Sequence, residues 1–195
     1  MTKICIRAGH GQDKVGRGDP GCTGGGLKED DITLLAALAL NNAIKDTFKT
    51  CVPRANDNWQ DTAGGHLVGL PKAVNIAKQA GCNVFLSIHV NAAGSPAANG
   101  AEAIVRPGDK AAHALASDLL AAHCQIFGIK NRGIKERCDD LYEMRNTKEM
   151  DTALLELGFI SNEADLKALK GFVTDRDMRI SWSNAMKAVF KKHYR

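Results

Sequence analysis

His10, His89 and Glu156 are the residues whose types and surroundings could do chemistry. His10 stands between Gly9 and Gly11, two residues that let the backbone turn tightly. His89 closes the largely apolar run 83–89 and is followed by Val90 and Asn91. An imidazole in either place can ligate a metal, move a proton or simply be hydrogen-bonded within the structure. Glu156 is a carboxylate set among Ala153, Leu154, Leu155 and Leu157. Burial makes its ionised form costly and pushes its pKa up unless a cation or donors compensate, which is how a general base or acid is prepared. A glutamate facing solvent from an edge strand is the plainer reading of the same residue. Glu29, followed by Asp30 and Asp31, reads first as a carboxylate at the positive end of a helix dipole. His10, Glu29 and His89 are far apart in the chain and there is no His-Glu-x-x-His, so spacing alone does not join them into a metal site.

The glycine-rich stretch 9–26 invites a phosphate-binding reading, which fails in both of its forms. A dinucleotide fingerprint starting at Gly9 has Lys14 where its third glycine belongs. A phosphate loop would need Gly-Lys-Ser/Thr, whereas Gly26 is followed by Leu27 and Lys28.

The elements that must position these residues alternate in type. Residues 2–7 read as a strand, and the glycine-rich segment after them as irregular. The acidic start at Glu29 opens a helix whose stripe of Leu34, Leu38, Ile44 and Phe48 carries it to about residue 48. A brief strand follows at 50–53, a polar loop, and a helix over 67–80 that stops at Gly81. Residues 83–89 read as a strand buried on both faces. A strand at 101–106, a helix at 109–127 and a strand at 153–157 come next, and the remainder is helical, ending in a basic segment over 175–195. This order predicts one α/β domain with a central sheet, mostly parallel or mixed, flanked by helices. In such sheets sites gather beyond the carboxyl ends of the strands, where His10, His89 and Glu156 fall.

Composition narrows the function classes. The chain has 195 residues, enough for one domain, with 44% hydrophobic and 25% charged residues, which excludes a disordered or low-complexity protein. The longest apolar run, residues 34–40, is far short of the ~20 needed to span a bilayer, so no stable membrane insertion is expected. The first residues lack the apolar core of a secretory signal, which predicts synthesis as a cytoplasmic protein. A net charge of +4 is compatible with an anionic partner, a nucleic acid or a bacterial wall. The few aromatic residues, 5% of the chain, give no stacking platform and argue against nucleic acid. The six cysteines are scattered and predict reduced thiols rather than a disulfide framework or zinc ribbon.

Taken as an ordered set, several segments resemble the zinc-dependent N-acetylmuramoyl-L-alanine amidases of bacterial autolysins and phage endolysins. They are Gly9-His10-Gly11 with Gly18-Asp19-Pro20-Gly21; Gly26-Leu27-Lys28-Glu29; the stretch from Phe85 through His89 to Ala92; Gly100-Ala101-Glu102; Asn131-Arg132-Gly133-Ile134-Lys135; and Leu154-Leu155-Glu156-Leu157-Gly158 with Phe159 to Asn162. Together they cover residues 3 to about 170. The chain departs from the family where Gln12 follows Gly11, since the motif commonly reads His-Gly-Gly. It departs again over residues 54–70, where Trp59, Gly64, Gly65 and His66 make a locally varied loop; such loops often border substrate clefts.

The resemblance implies that His10, Glu29 and His89 bind one Zn²⁺ per chain, with a fourth position for water, and that Glu156 is the catalytic carboxylate. Two imidazoles and a carboxylate are a recurring ligand set for hydrolytic zinc. Asn91 is expected to help place the substrate. The implied reaction is hydrolysis of the amide between N-acetylmuramic acid and L-alanine in peptidoglycan. With no leader or wall-binding module read in the sequence, a phage or prophage lysin is expected, acting on the wall after release; the catalytic domain of a secreted autolysin is the alternative. Another zinc peptidase acting within the stem peptide and a non-catalytic wall-binding module are the competing functions.

Overall fold

The computed structural model describes residues 1–12, 18–54 and 69–194. Its frame is a six-stranded sheet. Lys3–Ala8 (β1), Lys49–Cys51 (β6), Val84–Asn91 (β7), Ala101–Val105 (β8), Asn131–Glu136 (β9) and Asp151–Phe159 (β10) lie side by side in the order β6-β1-β7-β10-β8-β9. The first four in that order are mutually parallel, β8 runs antiparallel to β10, and β9 is parallel to β8. The sheet is therefore mixed, as the sequence predicts. Four further two-residue strands make two small hairpins within the glycine-rich segment: Gly11–Gln12 (β2) with Gly18–Asp19 (β3), and Thr23–Gly24 (β4) with Leu27–Lys28 (β5). Ladders this short carry no hydrophobic alternation, which is why the segment reads as irregular in sequence.

Side-chain parity divides the sheet into two faces. Ile4, Ile6, Ala8, Val84, Leu86, Ile88, Ala153, Leu155 and Leu157 belong to the main core. That core is closed by Glu29–Ile44 (α1), Lys110–Phe127 (α3), Glu163–Thr174 (α5) and Arg176–His193 (α6). The alternate residues, among them Cys5, Phe85 and Leu154, form two smaller clusters with residues of Leu70–Gln79 (α2) and Tyr142–Asn146 (α4). Arg7, Ser87, His89 and Glu156 share the parity of this second face. Helices begin where side chains satisfy free N–H groups: Asp109 caps α3, Asn162 caps α5 and Asp175 caps α6.

Two elements escape the sequence reading. Strand β9 has Ile134 as its sole large apolar residue and is half exposed at the sheet edge, and α4 is too short to show a periodicity. Helix α1 ends at Ile44, short of the predicted 48, because Lys45, Asp46 and Thr47 turn the chain. Phe48 continues the apolar stripe from outside the helix, its ring 6.3 Å from that of Phe190. The loop expected around Trp59 and His66 lies outside the described residues. No helix among the described residues is long and apolar enough to cross a membrane. All six cysteines are free thiols.

Candidate active site

The carboxyl ends of β1, β7 and β10 bring the predicted residues together. His10 follows β1, His89 lies near the carboxyl end of β7, and Glu156 is the registered neighbour of His89 on β10. Glu29, the first residue of α1, points back to the same place. Its Oε1 lies 3.0 Å from His89 Nδ1 and 3.4 Å from His10 Nε2. The three ligand atoms fall within 4.8 Å of one another, and among the described residues this is the one such His, Cys, Asp or Glu group. A tetrahedral zinc with bonds of about 2.0–2.1 Å separates adjacent ligand atoms by about 3.3 Å, so these residues fit that ion.

The backbone is shaped for this convergence. His10 adopts φ 54°, a left-handed conformation that no other described non-glycine residue shows. Gly9 packs against the His89 ring: a Cβ there would come within 2.7 Å of ring atoms. Gly21, at φ 67°, leaves the room that the Glu29 carboxylate occupies.

The electrostatics assign different states to the two glutamates. Burial pushes Glu29 upward, but the bonds it accepts from His89 and from the N–H groups of Val90 and Cys22 outweigh it and hold its pKa at about 2. Glu29 is thus an anion. Glu156 goes the other way: burial first, then the charges of Glu29 and Glu102, raise its pKa to about 8. Its Oε2 is buried and has no hydrogen-bond partner. Glu156 is half-buried, on a strand paired on both sides rather than at the sheet edge. Glu156 lines a cavity of about 450 Å³ together with His10, His89, Arg7 and Glu143.

Asn91 stands apart from this group. It is the last residue of β7, its Nδ2 donates to Glu102 Oε1 at 3.3 Å, and it does not line the cavity.

Three partners went unassigned in the sequence reading. Asp19 Oδ2 lies 2.7 Å from His10 Nδ1, leaving Nε2 to face Glu29. Arg7 donates from Nη1 to His89 Nε2 at 2.6 Å and to Ser87 Oγ at 3.0 Å. Glu102 pairs with Arg132 at 2.7 Å and stands opposite Glu156 on β8. The signals were present: a lone charge in the apolar strand 3–8, and Asp19, Glu102 and Arg132 inside the quoted motifs. His123, given no role from sequence, is structural. It accepts from Trp182 Nε1 at Nδ1 and donates from Nε2 to Leu157 O.

Over residues 4–188 the chain matches the family model of N-acetylmuramoyl-L-alanine amidase. The chain belongs to this family. It is 29% identical over 191 residues to N-acetylmuramoyl-L-alanine amidase CwlM of Bacillus licheniformis, covering 97% of this chain and 69% of that protein. It is 32% identical over 174 residues to the sporulation-specific N-acetylmuramoyl-L-alanine amidase of Bacillus subtilis (strain 168), covering 87% and 61%. The fold matches the catalytic domain of CwlV, an N-acetylmuramoyl-L-alanine amidase from Bacillus (Paenibacillus) polymyxa var. colistinus, with a TM-score of 0.80 and 26% identity over 98% of this chain and 97% of that one. The amidase therefore acts on peptidoglycan.

Proposed function

We propose that the amidase is zinc-dependent, that His10, Glu29 and His89 hold the ion, and that Glu156 is the proton-transfer residue. The observation that carries this reading is the convergence at Glu29 Oε1 of two imidazole nitrogens, at 3.0 and 3.4 Å, beside the Glu156 carboxyl group, whose Oε2 is buried without a hydrogen-bond partner. Bound there, Zn²⁺ supplies a Lewis acid for the amide carbonyl and acidifies water.

The chain's own residues do the rest. Asp19 holds the His10 ring through Nδ1, so that ring keeps its orientation. In the carboxylate form that a bound divalent cation would favour, Glu156 takes one proton from the attacking water and delivers it to the alanine nitrogen as the C–N bond breaks. The products are the carboxylic acid of the lactyl group and the free amine of L-alanine. Asn91, held by Glu102 outside the cavity, is assigned to substrate extending past the scissile amide. We also assign the chain a lytic role at the wall, as a lysin or as the catalytic part of an autolysin.

The deciding experiment measures zinc content and released product on one purified sample, beside Glu156→Ala. About one zinc per chain, with new N-terminal L-alanine that disappears in the variant, supports the proposal. Cleavage elsewhere in the stem peptide, which exposes a different amine, refutes the bond assignment.

A further inference from the structure

Away from the catalytic cavity, three of the six cysteines meet on the α2 face of the sheet. Cys5 lies in β1, and its registered neighbour on the edge strand β6 is Cys51. Side chains in register on adjacent parallel strands project to the same face. Cys82, in the turn between α2 and β7, joins Cys5 in one buried cluster against which Cys51 packs. Each of the three thiols interacts with the other two. Cys5 is fully buried and Cys82 is 5% exposed, whereas Cys51 is partly open to solvent. None of them lines the catalytic cavity.

We propose that Cys51 and Cys82 form a peroxide-reactive dithiol, oxidised by a hydroperoxide to a disulfide that ties the edge strand β6 to the turn before β7. The Cys51 thiolate attacks the peroxide, the O–O bond breaks, and Cys51 becomes a sulfenic acid while an alcohol or water leaves with the thiol's proton. Cys82 then attacks the Cys51 sulfur, the S–O bond breaks, the S–S bond forms, and water departs with the second thiol's proton. Two thiols lose two electrons in total and the peroxide gains them.

The surroundings select these two partners. The thiols of Cys5 and Cys82, and then the Lys3 ammonium, shift Cys51 toward its thiolate against the effect of burial; the thiolate is the reactive form. Lys3 is held nearby through a bond from its Nζ to Ala80 O. Cys5 is a poorer resolving thiol. It is locked in ladders to β6 and β7, and registered parallel neighbours keep roughly the 4.8 Å strand spacing, longer than the ~3.8 Å between Cβ atoms that a disulfide needs. Cys82 lies before the β7 ladder, in a turn closed by its N–H to Ala77 O. The bond would close the segment 51–82, which carries α2 and, through Gly69 and Leu70, part of the cavity wall.

The test treats the purified full chain with hydrogen peroxide and counts thiols under denaturing conditions. Two of the six thiols disappear, the intact mass falls by two hydrogens, and peptide mapping joins Cys51 to Cys82. The Tm rises by several degrees and returns with a thiol reductant. Cys82→Ser leaves a sulfenic acid at Cys51 that a dimedone-type reagent traps, and Cys51→Ser keeps its remaining thiols. A wild-type chain that retains six thiols overturns the proposal. So does a bond joining other cysteines, or over-oxidation of Cys51 with no bond formed. These readouts are independent of amidase turnover, so they stand whether or not the zinc mechanism does.

Discussion

Glu156 stands directly beside His89 in the parallel ladder between β10 and β7, and directly opposite Glu102 on β8. One row across three strands thus carries an imidazole, a buried carboxyl group and a paired carboxylate. Beyond it the ladder shifts register between Glu156 and Phe159, an irregularity that ends the row at the cavity. Burial first, then the charges of Glu29 and of Glu102 in this row, favour the protonated form of Glu156.

Glu156→Gln removes the proton-transfer group while leaving the shape of the side chain. We expect turnover to fall by about 10²–10⁴-fold, the usual size of general acid–base catalysis, with zinc content and Tm preserved. Parallel metal analysis and kinetics check this, and an active variant sinks the role given to Glu156.

The pKa of about 8 at Glu156 has a consequence for stability. The metal-free fold favours the protonated form, so the group's contribution is complete below the usual carboxylate range and is lost as pH rises through about 8. Metal-free wild type should therefore lose stability relative to Glu156→Gln between about pH 5 and about pH 9. Denaturant midpoints at both pH values test it. A bound divalent cation favours the carboxylate, so zinc loading should flatten the difference.

Metal affinity should track the ring supports as well as the ligands. His10→Ala, His89→Ala and Glu29→Gln should abolish tight zinc binding. Asp19→Asn, which weakens the hold on His10, should cost about 10–100-fold in affinity. Gly21→Ala should also weaken binding, because a Cβ there meets the Glu29 carboxylate. Competition with a chromogenic chelator ranks all five variants.

Zinc should stabilise the fold by mass action, by about 2.7 kcal/mol at a free concentration 100 times the Kd. A chelator should lower the Tm of the wild type and leave that of His89→Ala unmoved. Differential scanning fluorimetry with and without added zinc measures both.

Trp182→Phe separates structure from catalysis. It leaves Nδ1 of the fully buried His123 without a donor, at a cost of about 1–3 kcal/mol, and should leave kcat unchanged below the unfolding range. Burial holds the His123 pKa down to about 4. Its contribution is present above the ordinary histidine range and is lost as pH falls through about 4, which acid unfolding of wild type against His123→Gln would reveal.

Much of this was legible in the chain. Near-continuous apolar runs in 2–7, 83–89 and 153–157 mark the strands, and the polar residues within or closing them, Arg7, His89 and Glu156, mark the site face. Strand β9 was not legible, because an edge strand with one large apolar residue has no pattern to read. The Cys5–Cys51–Cys82 cluster was not legible either, since its members come from β1, β6 and a turn that only pairing brings together. Sequence alone determined most element types, the α/β class and the candidate reactive side chains, since these follow from local periodicity and residue chemistry. Tertiary structure decided which of those side chains share a site and in what charge state. Parallel register sets His89 beside Glu156, the turn at Gly21 admits Glu29 to both histidines, and the balance of burial against accepted hydrogen bonds, a property of the whole fold, leaves Glu29 an anion and favours the protonated form of Glu156.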